Sequence, residues 1–519
     1  MNQALSGESR LGQAPLRVFL SFKNLKADGS PTPEQRVAGE LHRHLTAKGC
    51  TVFFSPVTLE RMGQANYKQV IDAELDAADV LVAVGSSRAN LDSGWVRYEW
   101  DSFFHDMLSG LKPHGRVFVY LIGESPQNLP RALRQTQCIV HGPDGFASLT
   151  RFLLNYQNPT QPVSVAVNSV SAKYWVATLK DGKELRVLDR TLREGTFKRV
   201  YFTEDGGHVV KLFKDTVSAS TAEHQARIAA LVSYCNPTML RQSGGMADSQ
   251  AQADEWAKLF CWPFAIVLNP SAGVVAPSAP SRYRFLSGVF AGRDKMLAWF
   301  LKPKTIARLP TEEQGTLRQR IAVCRRIARS VQLLHGGSFC LNDLSPRNIL
   351  VDFPSGTSVI VDIEEASLPG FRYSGVLGTM GYLAPEQVMT LESAGARHTD
   401  TKPSRHTEEY ALAVIIYETL LRRHPLRGPK VHVAESAEQD EMALLGRNAL
   451  FIEDPTDMSN TPPGLAPPLS VLGPNISTLM FRAFVRGLTS PEARPSAEDW
   501  EKALALEFAA ESDGICQAP

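Results

Sequence analysis

A stretch rich in proline and small polar residues, 157–172 (QNPTQPVSVAVNSVSA), separates two parts of the chain whose hydrophobic patterns differ. This composition is typical of a linker between folded domains. A chain of 519 residues is also too long for one hydrophobic core. We therefore predict one domain at 16–156, a linker at 157–172 and a second domain at 173–508.

The part before the linker alternates short β-rich runs with helical patterns. Between the first two runs, Val37, Leu41 and Leu45 recur at helical spacing. Strands that alternate with helices favour a parallel sheet covered on both faces. The predicted strands are Val18–Phe22, Thr51–Phe54, Val80–Val84 and Val117–Ile122.

The part after the linker has strands first and helices later. Strand-like runs lie at Tyr174–Thr178, Arg199–Thr203 and His208–Phe213, whereas Leu317–Leu334 and Tyr410–Leu421 have helical patterns. A β-rich front and an α-rich back predict a two-lobed α+β domain.

Composition excludes several classes of protein. With 55 basic and 54 acidic residues the chain is not a broadly basic nucleic-acid binder. The longest apolar run, Ala411–Tyr417, is too short to span a bilayer. The seven cysteines are scattered without a CxxC pair, so we expect neither a disulfide framework nor a zinc site. The start of the chain lacks the apolar core of a secretory signal. We expect a cytoplasmic protein with no nucleic-acid or membrane partner.

Three motifs in the second domain occur in a fixed order: DLSPRN (343–348), VDIE (361–364) and GTMGYLAPE (378–386). Their order and spacing resemble those of protein kinases, and the resemblance covers about residues 185–508. It implies a two-lobed kinase fold that uses ATP and Mg²⁺. It also implies a protein substrate, and DLSPRN is nearer to the Ser/Thr form of this loop than to the tyrosine form.

The resemblance gives roles to individual residues. Asp343 would accept or orient the proton of the acceptor hydroxyl, and Asn348 and Asp362 would hold Mg²⁺. Upstream, LREGTFKRVYFTEDGGHVVKLFK (192–214) resembles a glycine-rich loop followed by the strand that carries the phosphate-binding lysine. The ATP-binding residues implied there are Gly195, Val200 and Lys211. The acidic partner of Lys211 is expected on the next helix, at Glu223.

The chain departs from the kinase pattern at several positions. Arg193 and Lys198 replace two glycines, which predicts a stiffer and more cationic loop. Ile363 and Glu364 stand where the family has Phe-Gly after the metal-binding aspartate. Leu341 and Asn342 replace His-Arg, and Glu408 replaces an aspartate at the start of the central helix. The resemblance also implies a structural ion pair between Glu386 and Arg494.

Motifs in the first domain resemble those of Toll/interleukin-1 receptor (TIR) domains. RVFLSFKN (17–24) matches the opening strand, and SGWVRYEWDSF (93–103) supplies W-x-x-x-E as Trp95 and Glu99. The resemblance covers about residues 16–156 and implies a flavodoxin-like α/β fold.

Two roles stay open for this domain. Some TIR domains cleave NAD⁺, and Glu99 matches the glutamate that they require. Others only self-associate. W-x-x-x-E also fits a buried tryptophan and an exposed glutamate one helical turn apart, with no catalytic role.

Three functions are therefore compatible with the sequence. The first is an active kinase with a TIR domain that cleaves NAD⁺. The second is an active kinase whose TIR domain only assembles. The third is a pseudokinase scaffold that carries the TIR domain as adaptor or as the sole effector.

Overall fold

The chain divides into two compact units in a computed structural model. The first unit comprises Met1–Ser164 with Val431–Glu441, and the second comprises Val165–Lys430 and Met442–Pro519. The predicted linker lies outside the described residues, so its boundaries stay a prediction. The structure describes residues 15–26, 30–55, 67–108, 112, 114–134, 136–156, 174–194, 198–214, 221–239, 246–286, 290–371, 378–392, 403–433 and 437–515.

A parallel five-stranded sheet forms the centre of the first unit, in the order β2-β1-β3-β4-β5. This is the flavodoxin-like order, and it confirms the predicted fold class. The fifth strand was not predicted. The strands are β1 (Arg17–Phe22), β2 (Thr51–Phe53), β3 (Val80–Gly85), β4 (Arg116–Leu121) and β5 (Gln137–Val140).

Helices cover both faces of this sheet because successive side chains of each strand point to opposite faces. Val18 and Leu20 of β1 pack in one hydrophobic cluster with Leu41 of the first helix. Phe19 packs in the other cluster with Phe103. The helices of this part are α1 (Pro33–Ala47), α2 (Tyr67–Ala77), α3 (Arg88–Leu91), α4 (Gly94–Leu108), α5 (Arg131–Arg134) and α6 (Gly145–Tyr156).

The second unit begins with an antiparallel barrel in the order β10-β11-β9-β8-β7-β6, closed by pairing between β6 and β10. A two-stranded hairpin, β12–β13, follows in the helical part. The strands are β6 (Tyr174–Leu179), β7 (Glu184–Glu194), β8 (Lys198–Thr203), β9 (His208–Phe213), β10 (Ala265–Asn269), β11 (Gly273–Pro277), β12 (Ile349–Asp352) and β13 (Thr357–Ile360).

Two long helices organise the α-rich lobe. Helix α10 begins with a capping box between Thr316 and Gln319, which satisfies backbone N–H groups at its first turn. Helix α12 is buried from Thr407 to Leu421, as expected for a helix whose central run, Ala411–Tyr417, is apolar on all sides. The helices from residue 222 onward in the chain are α7 (Ala222–Val232), α8 (Met246–Leu259), α9 (Pro303–Ile306), α10 (Leu317–Gly336), α11 (Pro385–Glu392), α12 (Arg405–Leu421), α13 (Ala437–Leu445), α14 (Pro474–Phe481) and α15 (Ala497–Ile515).

The β-first, α-later architecture predicted for this unit is confirmed. Among the described helices, none combines the length and the apolar character that a membrane span requires.

Candidate functional site

The open end of the β12–β13 hairpin brings together the two residues predicted to hold Mg²⁺. Asn348 ends a short 3-10 turn just before β12. Its carbonyl oxygen accepts a hydrogen bond of 2.9 Å from the amide of Val361, the residue before Asp362. Asp362 has a φ of 64°, in the left-handed region that aspartate tolerates better than most residues. Residues 14 positions apart in the chain therefore meet at one edge of the hairpin.

The carboxylate of Asp343 is fixed from two sides. The side-chain nitrogen of Asn348 donates to Asp343 Oδ2 over 3.0 Å. The amide and the hydroxyl of Thr379 donate to Oδ1 over 2.9 and 2.8 Å. Asp343 is thus a carboxylate of defined orientation, half-buried beside Asn348. The contact from Thr379, in the GTMGYLAPE motif, was not foreseen.

Lys211 lies in the middle of β9 and its ammonium points to the same region. Its Nζ is 2.9 Å from Asp362 Oδ1 and 2.5 Å from Glu364 Oε1. The prediction that Glu223 is its acidic partner was wrong, because Glu223 is exposed in the first turn of α7 and Lys211 contacts carboxylates of another segment. Glu364, which stands at the glycine position of the family pattern, provides that carboxylate. Its charge, two positions after Asp362, was the signal in the sequence.

Lys198, the first residue of β8, joins the same cluster. Its Nζ is 2.5 Å from Glu364 Oε2 and 3.6 Å from Asp362 Oδ1. Replacement of glycine by lysine was expected to make the loop surface more cationic. Instead the side chain is buried and directs its charge inward.

The charges of this cluster stabilise one another. Burial by itself would lower the pKa of Lys198 and of Lys211, but the carboxylates of Asp362 and Glu364 outweigh it and raise both. Burial would likewise raise the pKa of Glu364, yet the two ammonium groups hold it below its ordinary value. All three side chains are therefore charged at neutral pH.

Helix α7 contributes an arginine to this region. Arg227 is buried, and its Nη1 donates to the carbonyl oxygens of Glu364 and Ala366 over 2.7 and 3.2 Å. Its Nη2 lies 3.6 Å from the carboxylate of Glu365. The helix thus holds the backbone of the segment that follows Asp362.

Two further residues, Val200 and Gly195, were predicted to contribute to the nucleotide site. Val200 is buried in β8 and lies opposite Lys211 in the β8–β9 register. Gly195 lies outside the described residues, so its predicted role stays a prediction.

Glu408, at the start of α12, braces the loop that carries Asp343. Its carboxylate accepts hydrogen bonds from the amide of Leu341 over 2.5 Å and from the ring of His335 over 2.8 Å. The carboxylate of Glu408 therefore links the start of α12 both to this loop and to α10. Cys340 lies beside His335 and Glu408, and one potential metal-ligand atom of each residue lies within 4.8 Å of those of the other two. Burial raises the pKa of its thiol, which disfavours the thiolate that a metal needs.

The predicted ion pair between Glu386 and Arg494 is confirmed. Two parallel hydrogen bonds of 2.7 Å join the guanidinium to the carboxylate. The guanidinium also donates to the carbonyl oxygens of Gly487 and His406. This arrangement ties the end of GTMGYLAPE to the last part of the lobe.

In the first unit, Glu99 lies on α4 and contacts the carboxyl end of β1. Its side chain is 5 % exposed, and its Oε2 accepts a hydrogen bond of 2.5 Å from Ser21 Oγ. The interpretation of W-x-x-x-E as a packed tryptophan with an exposed glutamate is therefore wrong for Glu99. The side chain of Trp95 is outside the described part of the structure.

A second buried carboxylate lies next to the end of β3, the neighbour of β1 in the sheet. Glu34, in the first turn of α1, accepts hydrogen bonds from the amide and hydroxyl of Ser86 and from the side chain of Asn90, at 2.6 to 2.8 Å. Burial would raise its pKa, but these donors outweigh burial and lower it. Sequence reasoning missed Glu34, since an acidic residue in a first helical turn is usually a solvated cap.

Comparison with known families identifies both units. Residues 18–150 match the TIR domain family, and residues 300–500 match the protein kinase domain family. Lys198 and Lys211 precede the second match. No curated protein is significantly similar to the chain. With the parallel sheet of the first unit and the motif geometry of the second, these matches show that the chain joins a TIR domain to a protein kinase domain.

Proposed function

We propose that the kinase domain transfers the γ-phosphoryl group of ATP to a serine or threonine hydroxyl of a protein substrate, with Mg²⁺ as cofactor. The observation that carries the proposal is the convergence of Lys211 on Asp362, next to the hairpin end where Asn348 contacts Asp343. Phosphoryl transfer depends on positioning and on neutralisation of oxygen charge, and this set offers both.

The residues at the hairpin end fit a magnesium ion. Asp362 offers a carboxylate. Asn348 turns its amide nitrogen to Asp343, which leaves its side-chain oxygen as the atom for a cation. Two oxygen donors, completed by phosphate and water, are a typical protein contribution to Mg²⁺. The ion would supply charge neutralisation at the phosphate oxygens.

Asp343 would accept the proton of the acceptor hydroxyl. The hydroxyl oxygen forms a new bond to the γ-phosphorus, the bond from that phosphorus to the bridging oxygen breaks, and ADP leaves. Hydrogen bonds from Asn348 to Oδ2 and from Thr379 to Oδ1 keep the Asp343 carboxylate in a single orientation. Lys211 would bind phosphate oxygens and so favour charge on the leaving group. The Ser/Thr preference rests on the DLSPRN loop.

For the TIR domain we propose NAD⁺ cleavage by Glu99, with assembly through TIR–TIR contacts as the alternative. The buried position of Glu99 at the carboxyl end of β1 favours cleavage, because ligands of open parallel sheets bind at that edge. Nicotinamide leaves as a neutral molecule from a cationic ring, so no general acid is required. A carboxylate can stabilise the oxocarbenium-like sugar that forms, which water then attacks.

One experiment tests both activities. The purified protein is incubated with labelled ATP·Mg²⁺ and, separately, with NAD⁺, beside Asp343→Asn and Glu99→Gln. We expect Asp343→Asn to abolish phosphate incorporation and Glu99→Gln to abolish nicotinamide release, each without effect on the other. Asp457→Asn and Glu40→Gln make the same changes at exposed or half-exposed positions and serve as matched controls.

The outcomes separate the three functions. Phosphate incorporation without nicotinamide release would leave the TIR domain as an assembly module. Neither activity, together with ordered oligomers, would contradict both proposals and favour a pseudokinase scaffold. Coupling is tested with protein that lacks residues 1–160. If it keeps full, normally regulated kinase activity, TIR self-association does not act on the kinase through local concentration.

A further inference from the structure

Two lysines on neighbouring strands converge on the same two carboxylates. Lys198 of β8 and Lys211 of β9 each lie 2.5 Å from one oxygen of Glu364 and within 3.6 Å of Asp362 Oδ1. The kinase pattern requires one lysine here, and the second needs an explanation. Burial of an ammonium group is costly unless it is compensated.

Exposure within the cluster is uneven. The side chain of Glu364 is fully buried and that of Lys211 is 4 % exposed, whereas Lys198 and Asp362 keep 11 % and 19 %. Lys198 and the carboxylate assigned to Mg²⁺ are therefore the least deeply buried side chains of the four. Each oxygen of Glu364 has its own lysine at 2.5 Å, and Lys198 also lies 3.6 Å from Asp362, so both lysines border the carboxylate assigned to Mg²⁺.

We propose that Lys198 is a second phosphate-binding lysine of the nucleotide site and that Glu364 positions both lysines. The ligand class is a nucleoside di- or triphosphate, so the inference rests on the proposed nucleotide site of the kinase domain. An ammonium group has three donors, and the contact with Glu364 uses one of them. The remaining donors of Lys198, beside Asp362, suit phosphate oxygens.

Helix α7 contacts the segment that follows Asp362 and does not provide the carboxylate that pairs with Lys211. The helix was expected to supply the carboxylate for Lys211, but that carboxylate belongs to the segment of Asp362 itself. Arg227 of α7 holds the backbone of this segment at Glu364 and Ala366. The lysine-positioning residue and the metal-binding residue are then two positions apart and are held as one unit.

The test compares binding of ADP and of adenosine to the full-length protein by calorimetry in Mg²⁺ buffer. Adenosine lacks phosphates, so a general disturbance of the site weakens both ligands, whereas loss of a phosphate contact weakens only ADP. We expect Lys198→Met to weaken ADP binding about 10- to 100-fold, the range for a charged hydrogen bond. Its adenosine affinity should stay unchanged. Glu364→Gln should weaken ADP selectively as well, because both lysines lose their charged anchor.

A double variant distinguishes two roles of Lys198: binding of phosphate and neutralisation of the Glu364 carboxylate. If Lys198 only neutralised Glu364, Lys198→Met with Glu364→Gln would restore ADP affinity, and the proposal would be overturned. We expect no restoration. Lys295→Met is the matched control, since Lys295 is buried and paired with two carboxylates, Glu313 and Asp352, elsewhere. Its ratio of ADP to adenosine affinity should equal that of the unchanged protein.

Other results also decide the question. Equal weakening of ADP and adenosine by Lys198→Met, or wild-type protein that binds ADP no more tightly than adenosine, would overturn the proposal. If Lys198→Met folds poorly, Lys198→Gln carries the same expectation. Failure of phosphate transfer with selective, Lys198-dependent ADP binding would instead refute the proposed kinase reaction and leave this inference standing.

Discussion

At the scale of single residues, three buried charged side chains are each held by specific partners. Glu364 meets two lysines, Arg494 meets Glu386, and Glu34 meets three hydrogen-bond donors. Such groups are sensitive to the loss of a partner, because the group left behind remains buried and charged. Two predictions follow from this sensitivity.

The first concerns the pair of Glu386 and Arg494, whose guanidinium is 0 % exposed. We expect Glu386→Ala to lower the free energy of unfolding of the kinase domain by about 3–5 kcal/mol, because Arg494 then stays buried without its carboxylate. Denaturant unfolding measures the change. The exposed pair of Lys502 and Glu498 is the control, and Glu498→Ala should have no measurable effect. A loss below about 1 kcal/mol for Glu386→Ala would contradict the prediction.

The second concerns Glu34, whose folded-state pKa is lowered. A lowered pKa contributes stability that is present above the unfolded value, near 4.5, and is lost as pH falls through the folded value. We expect Glu34→Gln to destabilise the TIR domain by about 1–3 kcal/mol at pH 7 and by less in acid. Hydrogen exchange in β3, followed at several pH values, reports this domain alone. Glu40→Gln on the same helix should leave the acid dependence unchanged; a pH-independent effect of Glu34→Gln would show that charge is not the cause.

At the scale of elements, the position of Lys211 depends on how closely β9 and β11 approach. Gly273 of β11 faces Leu212 of β9 in the antiparallel register. A Cβ atom built at Gly273 would lie 2.3 Å from the carbonyl oxygen of Lys211. The absence of a side chain at this one position therefore allows the strand pair to close beside Lys211 and the proposed nucleotide site.

We predict that Gly273→Ala forces β9 and β11 apart and shifts Lys211. The free energy of unfolding should fall by about 1–3 kcal/mol, as for overpacking in a core, and ADP affinity should fall as well. Calorimetric titration and denaturant unfolding measure the two effects. Gly336→Ala, at the end of α10 with no atom near the added Cβ, is the matched control. Unchanged ADP affinity in Gly273→Ala would mean that the strands can adjust without moving the lysine.

At the scale of the whole molecule, each unit has its own hydrophobic core. The clusters on the two sheet faces of the first unit, and the large cluster around α10 and α12 in the second, share no residues. Leu41 of α1 and Leu412 of α12 are both fully buried, one in each core. Separate cores predict separate unfolding.

We expect two thermal transitions in the full-length protein. Leu41→Ala and Leu412→Ala should each destabilise one unit by about 2–5 kcal/mol, through lost burial and the cavity left behind. Each variant should shift a different transition in differential scanning calorimetry and serves as the control for the other. A shift of both transitions by either variant would show that the two cores unfold together.

Local patterns in the sequence predicted two units, the alternation of strands and helices, and four candidate site residues: Lys211, Asp343, Asn348 and Asp362. These features depend on periodicity and on motifs within short stretches. The edge strand β5 was missed because four residues with one buried side chain give too weak a pattern.

Only the tertiary structure decided which groups meet across long separations. Lys198 reaches Glu364 over 166 positions, and Ser21 reaches Glu99 over 78. Spacing along a chain does not state which charges will share a buried volume, because that depends on how strands and helices pack. The sequence therefore identified candidate site residues, and the tertiary packing determined which side chains contact them.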